Sequence, residues 1–193
     1  MSVDIAHSIR IDMTALPDID QVQALSTEQR AQVLDLLFEP SQQLHTLSVE
    51  LLKSQSFESY EDLIAAVGVQ LTDLAESTSS SDREWLESIL GSHPRLGAKK
   101  VESAQSQAEQ AQLQKGSTEE AEQLRKLNNE YEAKYPGLRY VVFVNGRERP
   151  VIMEDMKRRI ALDDIQGERL AAIRAMGEIA ADRARKLQAQ ALA

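Results

Sequence analysis

The chain has 193 residues, 42% of them hydrophobic and 27% charged, with no cysteine and a formal net charge of −9. That length and apolar share suit one soluble domain with a real core. The acidity argues against a nucleic-acid partner, and the missing thiols exclude disulfides, thiolate nucleophiles and zinc–thiolate sites.

Aromatic residues make up only 4%, so the core falls to Leu, Ile, Val and Ala, a composition that suits helices. No apolar run approaches the roughly 20 residues of a membrane span. Residues 1–11 lack the apolar core of a signal peptide, and Gln190-Ala191-Leu192-Ala193 is not a Ser-Lys-Leu address. A cytoplasmic or peroxisomal location without a clear targeting signal is the expectation.

Residues 1–16 show weak periodicity and read as a segment lying along the surface of something else. Ser26-Thr27-Glu28-Gln29 is a capping-box pattern, followed by the one-faced set Val33, Leu34, Leu37 and Phe38 and a stop at Pro40. Leu44, Leu47, Leu51 and Leu52 repeat that spacing. Ser59 can cap a helix bearing Leu63, Ile64, Val67, Leu71 and Leu74. Residues 77–81, one Thr among four Ser, read as a polar linker and cap. Residues 82–90 then predict a short helix with Trp85, Leu86, Ile89 and Leu90 inward, broken by Gly91.

His93-Pro94-Arg95-Leu96-Gly97 reads as a turn, because proline disfavours the helical conformation in the residue before it. Residues 98–114 predict a helix, at least from Ser106, ended by Gly116. Ser117-Thr118-Glu119-Glu120 is a second capping box, and Leu124, Leu127, Tyr131 and Tyr135 form one stripe of a helix stopped by Pro136-Gly137. Residues 140–144 are dense in β-branched and aromatic side chains but have no visible partner strand. They read as buried extended chain leading into an Asn145-Gly146-Arg147 turn. Pro150 can open a helix through Ile160, and residues 168–187 make the last one, with Leu170, Ile173, Met176, Gly177 and Ala180 inward. The sum is an all-α, single-domain bundle over residues 1–193, with about seven or eight helices and one buried extended segment.

Three histidines are present, His7, His45 and His93, without the HxxxH or HExxH spacing that would support a metal site. His7 and His45 read as surface or packing residues. His93 is carried by backbone that Pro94 stiffens, and histidine titrates nearest neutrality. A carboxylate beside it would make a proton-transfer pair. Ser106, Glu109 and Gln110 fall at i, i+3 and i+4, so one helix face offers a hydroxyl, a carboxylate and an amide to a small ligand. Arg183 sits among Ala180, Ala181 and Ala184, small neighbours that let a guanidinium reach inward and grip a carboxylate. Such a local arginine can reverse the potential inside a cleft of an acidic protein. Spacing alone favours plainer roles: a helix-end histidine, a Ser-x-x-Glu cap and an ordinary arginine near a helix C-terminus.

The order of motifs resembles the family of 2-oxo-4-hydroxy-4-carboxy-5-ureidoimidazoline (OHCU) decarboxylases, which act in urate breakdown. The resemblance rests on Phe38-Glu39-Pro40-Ser41, His93-Pro94-Arg95-Leu96, Ser106-Gln107-Ala108-Glu109-Gln110 and Leu127-Asn128-x-x-Tyr131. It also rests on residues 140–147, on Glu168 and on Glu178-Ile179-Ala180-x-x-Arg183. Gly97-Ala98 stands where many members have Ala-Gly, and residues 77–81 look like a loop insertion. The resemblance implies a cofactor-independent carboxy-lyase that binds no metal, works as a homodimer and releases (S)-allantoin and CO2. It implies His93, Glu109 and Arg183 as the catalytic set. Pro94, Ser106, Gln110 and the backbone of Val141, Val142, Phe143, Val144 and Asn145 would contact the substrate. Expected partners are therefore OHCU and a second copy of the chain, with neither nucleic acid nor membrane. Other classes that fit the residues are a non-catalytic helical interaction module and a cyclic-amide hydrolase.

Overall fold

The computed structural model describes residues 13–98, 104–111 and 117–191. A 3₁₀ helix, Ile19–Ala24, precedes α1 (Thr27–Leu37), α2 (Gln42–Ser54), α3 (Tyr60–Glu76) and α4 (Ser80–Leu90). Then come α5 (Ala104–Gln110), α6 (Thr118–Lys134), α7 (Arg149–Leu162) and α8 (Ile165–Ala191). Among the described residues there is no strand. None of the described helices is long and apolar enough to cross a membrane.

Serine starts most of these helices. Ser26, Ser41, Ser59, Ser79 and Ser117 each accept a backbone N–H from the first turn, and Ser26/Gln29 and Ser117/Glu120 close full capping boxes. Each cap satisfies a donor that the helix itself leaves unpaired. Ser80 and Ser81 belong to the first turn of α4, so the polar linker is shorter than its composition suggests.

The long α8 is the spine. It packs along α3 and against α1, while α6 lies along α7 and α4 rests on α3. Val33, Leu34, Leu37, Leu63, Val67, Leu86, Ile89 and Leu90 are fully buried, and α8 contributes Ala172, Met176, Ala180 and Ala184. The N-terminal segment is tied in rather than loose where it is described. Met13 and Leu16 pack on the core, and the Tyr60 hydroxyl donates to Pro17 O at 2.8 Å.

Some expectations need correction. Trp85 is 36% exposed. The buried stripe of α4 runs through Leu86, Ile89 and Leu90, and Trp85 stands at its edge, about 40° from Ile89 and about 100° from Leu86. On α8, Leu170 and Gly177 are half-buried, while Ile173, Met176 and Ala180 are inside as expected. Both C-terminal helices exceed their expected bounds, and Asp163 makes the corner between them in a left-handed conformation (φ 53°). The expected end of the fifth helix at Gly116 lies outside the described residues, as does His7.

Candidate active site

His93 follows α4 in a turn held from several sides. Arg139 donates to the His93 carbonyl at 2.9 Å, and Asn128 donates to Leu96 O at 3.1 Å. The Gly97 N–H donates to Gln110 Oε1 at 2.9 Å. Arg95 grips Glu132 through two bonds of 2.6 Å, which fastens the same turn to α6. Gly97 has φ 72°, a left-handed conformation that glycine adopts without a Cβ clash. That accounts for glycine at this position. Asn128 and Tyr131 act here as structural supports: Asn128 holds the turn, and Tyr131 belongs to a buried network described below.

The imidazole of His93 is 5% exposed, and its Nε2 is buried without a hydrogen-bond partner among the described residues. Burial pulls its pKa down to about 4; the Glu39 charge opposes that shift and the Arg183 charge adds to it. At neutral pH the ring is therefore uncharged.

Ser106, Glu109 and Gln110 share one face of α5, as their spacing predicts, and this face meets Arg183 of α8. Arg183 is 3% exposed. Its Nε donates to Glu109 Oε1 at 2.7 Å and its Nη2 to Glu109 Oε2 at 2.9 Å, a two-point grip. The same Nη2 lies 2.7 Å from Glu39 Oε1 and 3.1 Å from Ser106 Oγ. Its Nη1 is buried with no hydrogen-bond partner among the described residues. These bonds and charges outweigh burial and raise the pKa of Arg183 still further, so it stays a cation.

Glu39, just past α1, joins this buried cluster although its sequence context assigns it no role. It is 5% exposed, and its Oε1 also accepts from Ser106 Oγ at 2.6 Å. Burial alone would push its carboxyl up, but the Arg183 charge and the bonds from Ser106 and Arg183 win and hold it below the usual range. The signal in the sequence was a lone acid between Phe38 and Pro40 at the apolar end of a helix, quoted in a motif but given no role.

Glu109 makes no hydrogen bond to His93 among the described residues. Both Glu109 oxygens go to Arg183, because a bidentate guanidinium–carboxylate pair takes both acceptor edges. The carboxylate whose charge acts on His93 is Glu39. His45 instead pairs with Asp35 at 2.6 Å, a packing role.

Residues 140–144 are extended chain and form no sheet. Arginines occupy their carbonyls. Arg159 donates to Val141 O at 3.3 Å, and Arg147 donates to Phe143 O and, at 3.2 Å, to Val144 O. Behind them Arg159 stacks 4.6 Å from the Tyr140 ring centre and bonds both Glu168 oxygens at 2.9 Å. Tyr131 donates to Glu168 at 2.6 Å. Asn145 (φ 44°) and Gly146 (φ 73°) then reverse the chain. The N–H groups of Val141, Val142, Phe143, Val144 and Asn145 reach no protein acceptor among the described residues.

His93, Pro94, Ser106, Glu109, Gln110, Val141, Val142, Phe143, Val144 and Asn145 line one cavity of about 310 Å³. That is the small end of ligand-pocket sizes. Arg183 stands beside it, held by two of its lining residues. Asp182 and Lys186, paired at 2.6 Å, also line it. The cavity thus combines a neutral base and free backbone donors, with a clamped cation behind two of its lining residues, a set suited to proton transfer and oxyanion stabilisation on a small ligand.

No curated protein matches the chain at a significant level. The family model described as OHCU decarboxylase matches residues 23–185, which takes in α1 to α7, most of α8 and every residue of this cavity except Lys186. With most of its length covered by that match, the chain belongs to the OHCU decarboxylase family and has a decarboxylase role in urate degradation.

Proposed function

We propose that the protein converts OHCU to (S)-allantoin and CO2 without a cofactor, in the cavity beside His93, with His93, Glu109 and Arg183 as the catalytic set. The carbon that carries the substrate carboxylate also carries a hydroxyl and adjoins a ring C=N. When CO2 leaves, the bonding pair becomes a C=C bond to the neighbouring ring carbon, and the C=N pair moves onto the ring nitrogen, which takes a proton. The hydroxyl then gives up its proton as the neighbouring carbon gains one, leaving the ring amide carbonyl of allantoin. The substrate is its own electron sink, so the protein's task is to position, stabilise and deliver protons.

The buried, neutral His93 with its unpartnered Nε2 on the wall of a small cavity carries this reading. An uncharged imidazole can accept the hydroxyl proton. The free N–H groups of 141–145 supply donors for ring oxygens, and the Gln110 amide supplies one for the ureido group. Arg183 meets the carboxylate or the developing oxyanion through Nη1, and Glu109 holds it there while lining the cavity. A homodimer, implied by the family, completes the proposal and is checked by light scattering on the purified protein.

The test is to mix the protein with freshly generated urate oxidation product and follow CO2 release and the circular dichroism of allantoin. Faster, stereospecific allantoin formation with CO2 supports the proposal. No acceleration points to a helical interaction module. Ring opening without CO2 points to a cyclic-amide hydrolase.

A further inference from the structure

One face of α8 forms a wall of the cavity. Ile179, Asp182 and Lys186 stand at i, i+3 and i+7, and all three line it. Arg183, next along the chain from Asp182, is buried against Glu109 and Glu39. Exposure rises along the lining face. Ile179 is buried, the Asp182 side chain is 20% exposed and the Lys186 side chain 63%. His93, Ser106 and Gln110 of the same cavity are buried. The wall therefore runs from a dry interior to an open mouth, and Lys186 stands at the mouth.

The charges on this wall matter to an anion. Among the described residues that line the cavity, Glu109 and Asp182 are carboxylates and Lys186 is the one lysine or arginine. The whole chain carries −9, so an approaching anion is repelled unless a local cation offsets the field. Lys186 can be that cation without stranding its partner. Its Nζ lies 2.6 Å from Asp182 Oδ2, an exposed i, i+4 pair of a kind that holds weakly. Asp182 Oδ1 faces Arg185 at 3.7 Å and so keeps a cation when Lys186 turns away.

We propose that Lys186 is a substrate-binding residue: its ammonium leaves Asp182 to take the carboxylate of an anionic five-membered ring at the cavity mouth. This rests on the function proposed above, whose substrate carries a carboxylate and whose product, allantoin, does not. The contact then favours substrate over product. The carboxylate charge disperses as CO2 departs, so the contact strengthens binding and not the chemical step. Its loss appears in KM and leaves kcat undiminished.

The experiment compares wild type with K186Q, K186R and K157Q in the allantoin-forming assay at low ionic strength. Glutamine removes the charge at an exposed position, and Asp182 retains Arg185, so K186Q should fold. K157Q makes the same change in net charge on α7, outside the residues that line the cavity. The expected result is a KM for K186Q raised on the order of tenfold, with kcat undiminished, K186R close to wild type and K157Q equal to it. Added salt should narrow the gap, because exposed charges are screened. A second readout needs no turnover. Calorimetry measures the Kd of hydantoin-5-acetate, a five-membered ring bearing a carboxylate, and of allantoin, which is neutral. K186Q should weaken the first on the order of tenfold and the second little. A KM or a hydantoin-5-acetate Kd for K186Q within about twofold of wild type overturns the inference. So does an equal rise of KM in K157Q, or a loss carried by kcat. A wild type that forms no allantoin, yet binds hydantoin-5-acetate more tightly than K186Q does, overturns the proposed function and leaves the anion contact standing, so the two failures are told apart.

Discussion

Acid should weaken this fold through one side chain. The perturbation is a fall in pH from 7.5 to about 5, applied to wild type and to His93→Gln, which keeps a polar group but does not titrate. In the native protein burial depresses the His93 pKa to about 4, so the ring stays neutral over this range. In the unfolded chain an ordinary histidine takes up its proton near pH 6.5. The unfolded state therefore binds more protons, and stability falls as pH falls, with nothing lost above about 6.5 and the loss complete near the native value.

At 1.36 kcal/mol per pH unit, the full window costs about 3 kcal/mol, and about 2 kcal/mol is lost by pH 5. Stopping there leaves Glu39 ionised, since its carboxyl is held below the usual range and titrates later. Urea unfolding at fixed protein concentration measures the effect as a shift in midpoint at constant slope. Contributions from His7 and His45 are common to both proteins and cancel in the difference. The expected result is that the stability of wild type relative to His93→Gln drops by about 2 kcal/mol between pH 7.5 and 5. Parallel profiles, differing by under about 0.5 kcal/mol, would show that the imidazole is not held neutral and would remove the basis for treating it as a base.

His93→Ala should lower kcat by on the order of 10²–10⁴-fold with the helical circular dichroism intact; an active variant refutes the assignment of the base. Glu109→Gln cannot take the two charged bonds from Arg183, so turnover should fall by at least about tenfold; full activity would mean that Glu109 serves only the helix. Arg183→Met strands two carboxylates, Glu39 and Glu109, and should cost about 3–5 kcal/mol, read as a Tm lower by roughly 6–20 °C; an unchanged Tm contradicts the clamp. Gly97→Ala puts a Cβ 2.7 Å from Leu124 Cδ2 at a left-handed φ, which should cost about 1–2 kcal/mol in thermal unfolding; a neutral result would mean that the turn relaxes.

The α-helices, the serine caps at Ser26, Ser59 and Ser117 and the turn at Pro94 were legible in the chain because each is decided within a few residues. A capping box is an i, i+3 exchange of bonds, and an apolar stripe is a 3.6-residue period, so both are written locally. The same holds for the face of α5, where Ser106, Glu109 and Gln110 stand together by helix geometry alone. The extended run 140–144 was legible in part: its composition named a buried segment, and the missing partner strand argued against a sheet. Which side chain meets which across the molecule was not written there. Glu109 turned to Arg183 rather than to His93, and Glu39 came to the site from the far end of α1, because those pairings depend on how α1, α5 and α8 pack. A carboxylate carries no local mark of its distant partner; only the tertiary arrangement decides which cation it meets and how much water is left around the pair.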